Sequence, residues 1–148
     1  MLTEHGYSIS LLTNLSTEET CNRLRDALRN EGLELAGEVD LSKKIESHTG
    51  LAFSTYRILN VWCPFATFHA LLAIPEAGLF VPFHLVVESR AKQTSVTVVN
   101  PEWLATVIDR VGFRLLAKHV GVRLRRALAA LETVEVTRRE LELRVAKG

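Results

Sequence analysis

The chain has 148 residues, 47% of them hydrophobic and 24% charged, with a formal net charge of +1. These values fit one globular domain with a single core. They argue against broad nucleic-acid affinity, which needs a marked basic excess. The longest nearly uncharged run, residues 58–75, contains Asn60, Cys63, two prolines and His69. It is a poor match to the ~20 apolar residues of a membrane helix, so no transmembrane segment is expected. The N-terminus has neither a basic start nor an apolar stretch behind it, so no export signal is expected. Two cysteines, Cys21 and Cys63, give no disulfide framework, and a reducing, cytoplasmic location follows as the default.

Charge is unevenly placed. Residues 1–90 carry 7 basic and 11 acidic side chains, and residues 91–148 carry 11 basic and 6 acidic. Such asymmetry marks either a basic surface for an anionic partner or two halves of one fold that attract each other.

In chain order, Tyr7, Ile9 and Leu11 alternate with serines, the period-2 pattern of a half-buried strand. Ser16 and Glu19 then form a capping box, in which hydroxyl and carboxylate each satisfy an unpaired amide of a first helical turn. Cys21, Leu24 and Leu28 share one helical face, which places Cys21 in the core, and Gly32 supplies the stop. Leu33, Leu35 and Val39 alternate as a second strand ending near Asp40, and residues 41–50 read as a short helix or a loop.

Residues 56–62, aromatic and β-branched, predict a third strand. Pro64 fits the first position of a second helix, running to about Ile74 and stopped by Pro75 and Gly78. Residues 79–87 and 95–99 predict a hairpin. Asn100-Pro101-Glu102 opens the last helical region, with a kink or break at Gly112, and Phe113, Ala117, Val120, Leu124, Leu128 and Leu131 hold one helical face. Residues 132–148 alternate weakly, as a helical extension or a tail. The predicted order is β-α-β-β-α-β-β-α, an α+β domain with a two-layer, largely antiparallel sheet and helices on one face. The domain is expected over residues 6–131. No glycine-rich phosphate loop follows a strand, which removes the common nucleotide folds.

The motifs "EVD" at residues 38–40, "YRILNVWCP" at 56–64, "GLFVPFHLVV" at 78–87, "VNP" at 99–101 and "LLAKHVGVRLRRALAAL" at 115–131 resemble those of the family catalogued as domain of unknown function 302. The resemblance covers residues 6–131. It implies a two-layer fold similar to that of the TATA-binding protein, and a homodimer, but no established reaction; fold alone does not bring DNA binding. Family members often carry a cysteine and then an asparagine before the proline at position 64, where this chain has Trp62 and Cys63. A cysteine often follows the proline at position 82, where Phe83 stands here. Roles resting on those cysteines are therefore in doubt, and Trp62 suggests a filled pocket.

Three functional readings follow. Cys63, as the residue capping the helix that begins at Pro64, would place its sulfur where unpaired amides stabilise a thiolate. It is the one catalytic candidate, as a nucleophile or sulfur carrier with His69 or His84 as proton acceptor. The alternative for Cys63 is an inert buried thiol beside Trp62 and Phe65, since free cysteine is among the most buried residue types. A cysteine-proline pair also occurs as a haem ligand, but two residues establish no cofactor, and none is expected. The histidines show no metal-ligand spacing, and His69 reads as a core or interface residue.

Asp40, Tyr56, Arg57, Asn60 and His84 form the second set, candidates for holding a small anionic ligand at one end of the sheet. The third is the run from Arg110 to Arg126, with six Lys or Arg and no acid. In it Arg114, Lys118, Arg123, Arg125 and Arg126 could face an acidic partner or a membrane surface, or simply be the solvated side of a helix packed on the sheet. No sequence-specific nucleic-acid motif is present. No complete catalytic constellation can be assembled, so whether the chain is an enzyme stays open. A small-ligand-binding or accessory protein is the primary reading.

Overall fold

The computed structural model describes residues 2–148. Six strands, β1 (Thr3–His5), β2 (Ser8–Thr13), β3 (Glu34–Asp40), β4 (Tyr56–Trp62), β5 (Phe83–Arg90) and β6 (Gln93–Val99), form one antiparallel sheet in the order β1-β2-β6-β5-β4-β3. The helices are α1 (Thr17–Asn30), α2 (Leu41–Thr49), α3 (Pro64–Ala73), α4 (Pro101–Ile108) and α5 (Val111–Lys147), with a 3-10 turn at Pro75–Leu79. Helix α1 packs on β3, β5 and α5, and α5 in turn packs on β2, α3 and α4. The expected α+β class is the class observed.

Strand alternation decides which residues reach the helices. Ile9 and Leu11 of β2, Leu59 and Val61 of β4, Phe83, Leu85 and Val87 of β5, and Val96 and Val98 of β6 are all buried. They meet Cys21, Leu24 and Leu28 of α1 and the predicted stripe of α5, Phe113 through Leu131, in one cluster. Each fully buried side chain of this size contributes roughly 1.5–3 kcal/mol by leaving water.

The local signals act as physical chemistry requires. Ser16 Oγ accepts from the Glu19 amide at 3.2 Å, while the Glu19 carboxylate turns to Arg23 and Arg138 rather than closing the capping box. At the other end of α1, Gly32 adopts φ +72°, a left-handed conformation glycine enters without strain. Its amide and that of Leu33 then close the helix on the carbonyls of Arg29 and Leu28. Residues 41–50 resolve as helix because Asp40 caps them, accepting from the Lys43 amide at 3.0 Å, and Gly50 terminates them.

Four expectations need correction or extension. Strand β1 carries only exposed polar side chains, so it has no apolar period to read. The strand predicted over 79–87 runs from Phe83 to Arg90, because Pro75, Gly78 and Pro82 hold the preceding residues in a 3-10 turn and an irregular link. The break before the last helix falls at Asp109 and Arg110, not at Gly112. Gly112 lies inside α5, where a Cβ would come within 3.1 Å of the Ala73 methyl on α3; its glycine serves close helix packing rather than a kink. Finally, α5 continues without interruption through residues 132–147.

Candidate functional site

The residues predicted to hold an anion divide between the two faces of the sheet. Arg57 shares the helix-facing side of β4 with the buried Leu59 and Val61, and Asp40 stands opposite it in the β3–β4 register. There the guanidinium is already neutralised, with Nε 3.8 Å from Asp40 Oδ2 and Nη1 3.9 Å from Glu38 Oε1. Arg25 of α1 also pairs with Glu38. The cluster closes over the Cys21 thiol, which burial pushes up while Arg57 beside it pulls the other way. Asp40 is held below its ordinary value by the Ser42 hydroxyl first, then by the Lys43 amide. This is a structural ion network, with no unpaired cation left to meet a ligand.

Tyr56 and Asn60 point to the opposite side of β4. Asn60 pairs in register with the exposed His84 of β5, and Tyr56 stacks edge-on with Phe53 at 6.2 Å. The five side chains therefore do not converge on one site. Cys63 caps α3, the place expected for it, with Pro64 as first helical residue. Its side chain makes no capping hydrogen bond and it is only 4% exposed. Sulfur and His84 are separated by the sheet alternation, which buries Phe83 and Leu85 and turns His84 outward.

The basic residues of α5 also separate. Arg114 pairs with Asp109. Arg125 is held between two carboxylates, 2.5 Å from Glu4 and 2.9 Å from Glu102, tying α5 to β1 and α4. Lys118, Arg123 and Arg126 line one depression of about 430 Å³ together with Leu115, His119 and Val122, with Arg123 donating to the Glu31 carbonyl and Arg126 4.0 Å from the Glu31 carboxylate.

That depression adjoins a larger one. Between α3 and α5 lies a cleft of about 670 Å³, walled by Phe65, Ala66, Ala70, Ala73, Gly112, Leu115 and Leu116, with His69 and His119 at its polar points. Leu115 and His119 line both cavities, so an apolar cleft leads directly into a cationic end. The small residues Ala66, Ala70, Ala73 and Gly112 form its floor, where α3 and α5 approach closely. His69 is exposed here rather than buried in the core. A second, mixed-charge cavity of about 550 Å³ lies between α4 and α5, lined by Glu102, Thr106, Asp109, Arg114 and Lys118.

Most cleft residues escape a reading of the sequence alone. The available signal was α3 itself, whose Phe65, Phe68, Leu71 and Leu72 stay exposed while Ala70 is buried. A helix apolar all round is expected to be buried on all sides, and here one side is not. Among the described residues, no group of three or more His, Cys, Asp or Glu is placed to hold a metal. No helix among them is long and apolar enough to cross a membrane.

An antiparallel sheet under a helical layer, with an open cleft between α3 and α5, defines an α+β domain. The chain belongs to the family described as Domain of unknown function DUF302, whose profile matches residues 9–131. Among solved structures it is similar to the crystal structure of an uncharacterized conserved DUF302 protein from Bacillus stearothermophilus. The TM-score is 0.76 and the identity 23%, over 83% of this chain and 96% of the other. A comparison with curated proteins finds no match.

Proposed function

We propose that this chain is a small-ligand-binding protein, acting as a homodimer, and that its ligand is an amphiphilic anion seated between α3 and α5. The observation that carries this reading is the continuity of the two depressions. An apolar chain fits along Phe65, Ala66, Ala70 and Leu115, and an anionic head fits among Lys118, Arg123 and Arg126. The cleft volume lies within the range of ordinary ligand sites, and such sites are mostly apolar with few polar groups that fix orientation. Burying an acyl chain contributes roughly 0.8 kcal/mol per methylene, so affinity should rise with chain length. Charge should add to strength as well as fix orientation, in a way that salt weakens, because Lys118 and Arg126 are exposed. Two free cysteines support a reducing, cytoplasmic setting.

The exposed aromatic and aliphatic side chains of α3, with Phe65 81%, Phe68 57% and Leu72 70% exposed, favour a second reading: this surface meets an anionic bilayer. A thiol-dependent reaction has less support, since it needs a reachable sulfur and Cys63 is buried. Displacement of a fluorescent fatty-acid probe from the wild-type chain and from Ala66→Trp and Lys118→Glu/Arg126→Glu tests the primary reading. Loss of binding in both variants is the expected result. Probe binding that ignores both variants overturns it. Binding to anionic vesicles without uptake of the free acid replaces it with the second reading.

A further inference from the structure

The cavity between α4 and α5 differs in kind from the apolar cleft between α3 and α5. Two buried alanines, Ala105 and Ala117, form its apolar floor. Around that floor stand two carboxylates, Glu102 and Asp109, and two cations, Arg114 and Lys118. The acids belong to α4 and its C-terminal cap, the cations to α5. The rim is therefore neutral in sum, with the two signs sorted onto opposite walls.

The ion pairs already present decide what such a rim can take. Glu102 is committed to Arg125, which donates to both of its oxygens. Asp109 and Arg114 pair with each other, but their side chains are 79% and 51% exposed. An exposed pair of this kind contributes little to stability and is readily exchanged. Among the described residues Lys118 has no ion-pair partner. A ligand with only a carboxylate would draw Arg114 away from Asp109 and leave that acid unpaired. One with only an ammonium would take Asp109 and leave Arg114 without an acid, beside a second cation. A zwitterion does neither: its ammonium replaces Arg114 at Asp109, and its carboxylate meets Arg114 and Lys118.

We propose that this cavity is a binding site for a free α-amino acid with an aliphatic side chain. The side chain lies on Ala105 and Ala117, and the two charged groups reach the rim above them. The volume of about 550 Å³ falls within the ordinary range of small-molecule sites. The site is separate from the cleft and does not depend on the reading given to it. Lys118 borders both this cavity and the cationic depression, so variants that distinguish the two lie elsewhere on the rim.

Two-dimensional NMR of the isotope-labelled full chain, titrated with leucine, isocaproate and isopentylamine, tests the proposal. The three share one aliphatic skeleton and differ only in charge. The expected result is saturable shifts of the amides of residues 102–118 with leucine, and binding roughly fivefold weaker or more for either single-charge analogue. Asp109→Asn, at a φ of +22° that asparagine accepts, should erase the preference for leucine over isocaproate. Thr106→Phe, at an exposed position lining the cavity, should block leucine. Ala66→Trp, on the wall of the other cleft, should leave leucine binding unchanged. Absence of leucine binding, equal binding of leucine and isocaproate by the wild type, or shifts centred on α3 overturn the proposal. None of these outcomes decides whether the cleft takes an amphiphilic anion.

Discussion

Arg123 of α5 donates from Nη1 to the backbone carbonyl of Glu31 at 3.0 Å, across 92 residues of sequence. The contact joins the longest helix to the C-terminal end of α1, where carbonyls lack intrahelical partners and a cation is favoured. It also explains why Gly32 stands beside it. A Cβ at Gly32 would lie 2.5 Å from that same guanidinium nitrogen. Arg123 thus has a structural partner as well as a place in the cationic depression.

Gly32→Ala should therefore destabilise the protein on two counts. Alanine at φ +72° is strained by roughly 1–2 kcal/mol, and the methyl displaces Arg123. Arg123→Met, which removes only the charge-assisted bond, should cost roughly 1–3 kcal/mol. Urea unfolding monitored by circular dichroism reads both. If Gly32→Ala matches the wild type, the close approach of α5 to this turn is not as described.

Asp40 gives a prediction in pH. Its carboxyl sits below the ordinary range because the Ser42 hydroxyl and the Lys43 amide stabilise the anion. A lowered folded value means that its contribution is fully present above the unfolded value of about 3.9, and is lost as pH falls through the folded one. Asp40→Asn keeps a capping oxygen but no charge, so its stability should vary less with pH across that acid range. Asp40→Ala loses the cap of α2 as well, at about 1 kcal/mol. Unfolding midpoints of the three proteins between neutral and acid pH separate charge from cap.

Both thiols should resist reagents in the native state. Cys21 is 0% and Cys63 4% exposed, and burial pushes the Cys21 thiol up, away from the reactive thiolate. Alkylation followed by mass spectrometry is expected to label neither until denaturant is added. Rapid native labelling of Cys63 would return the thiol reading to first place.

Much of the fold could be read from the sequence, for identifiable reasons. The third strand and the helix opening at Pro64 were legible because β-branched residues, a proline and a capping position agree. The stripe Phe113 to Leu131 was legible because a long helix on a sheet must repeat every 3.6 residues. Strand β1 was not, since three exposed polar residues carry no period. Neither was the cleft, because small side chains such as Ala66, Ala73 and Gly112 become the floor of a groove only once two helices are brought together. The ion network of Arg57 shows the converse: Arg57 and Tyr56 are neighbours in sequence, and for that reason lie on opposite faces of a strand.

The central claim, that the cleft takes an amphiphilic anion, is tested most directly by isothermal titration of the full chain with dodecanoate, beside butyrate and dodecanol. The expected result is saturable binding of dodecanoate that weakens with added salt, weaker binding of dodecanol, and none of butyrate. Dodecanoate that fails to bind, or binding that dodecanol matches and salt leaves unchanged, would contradict it.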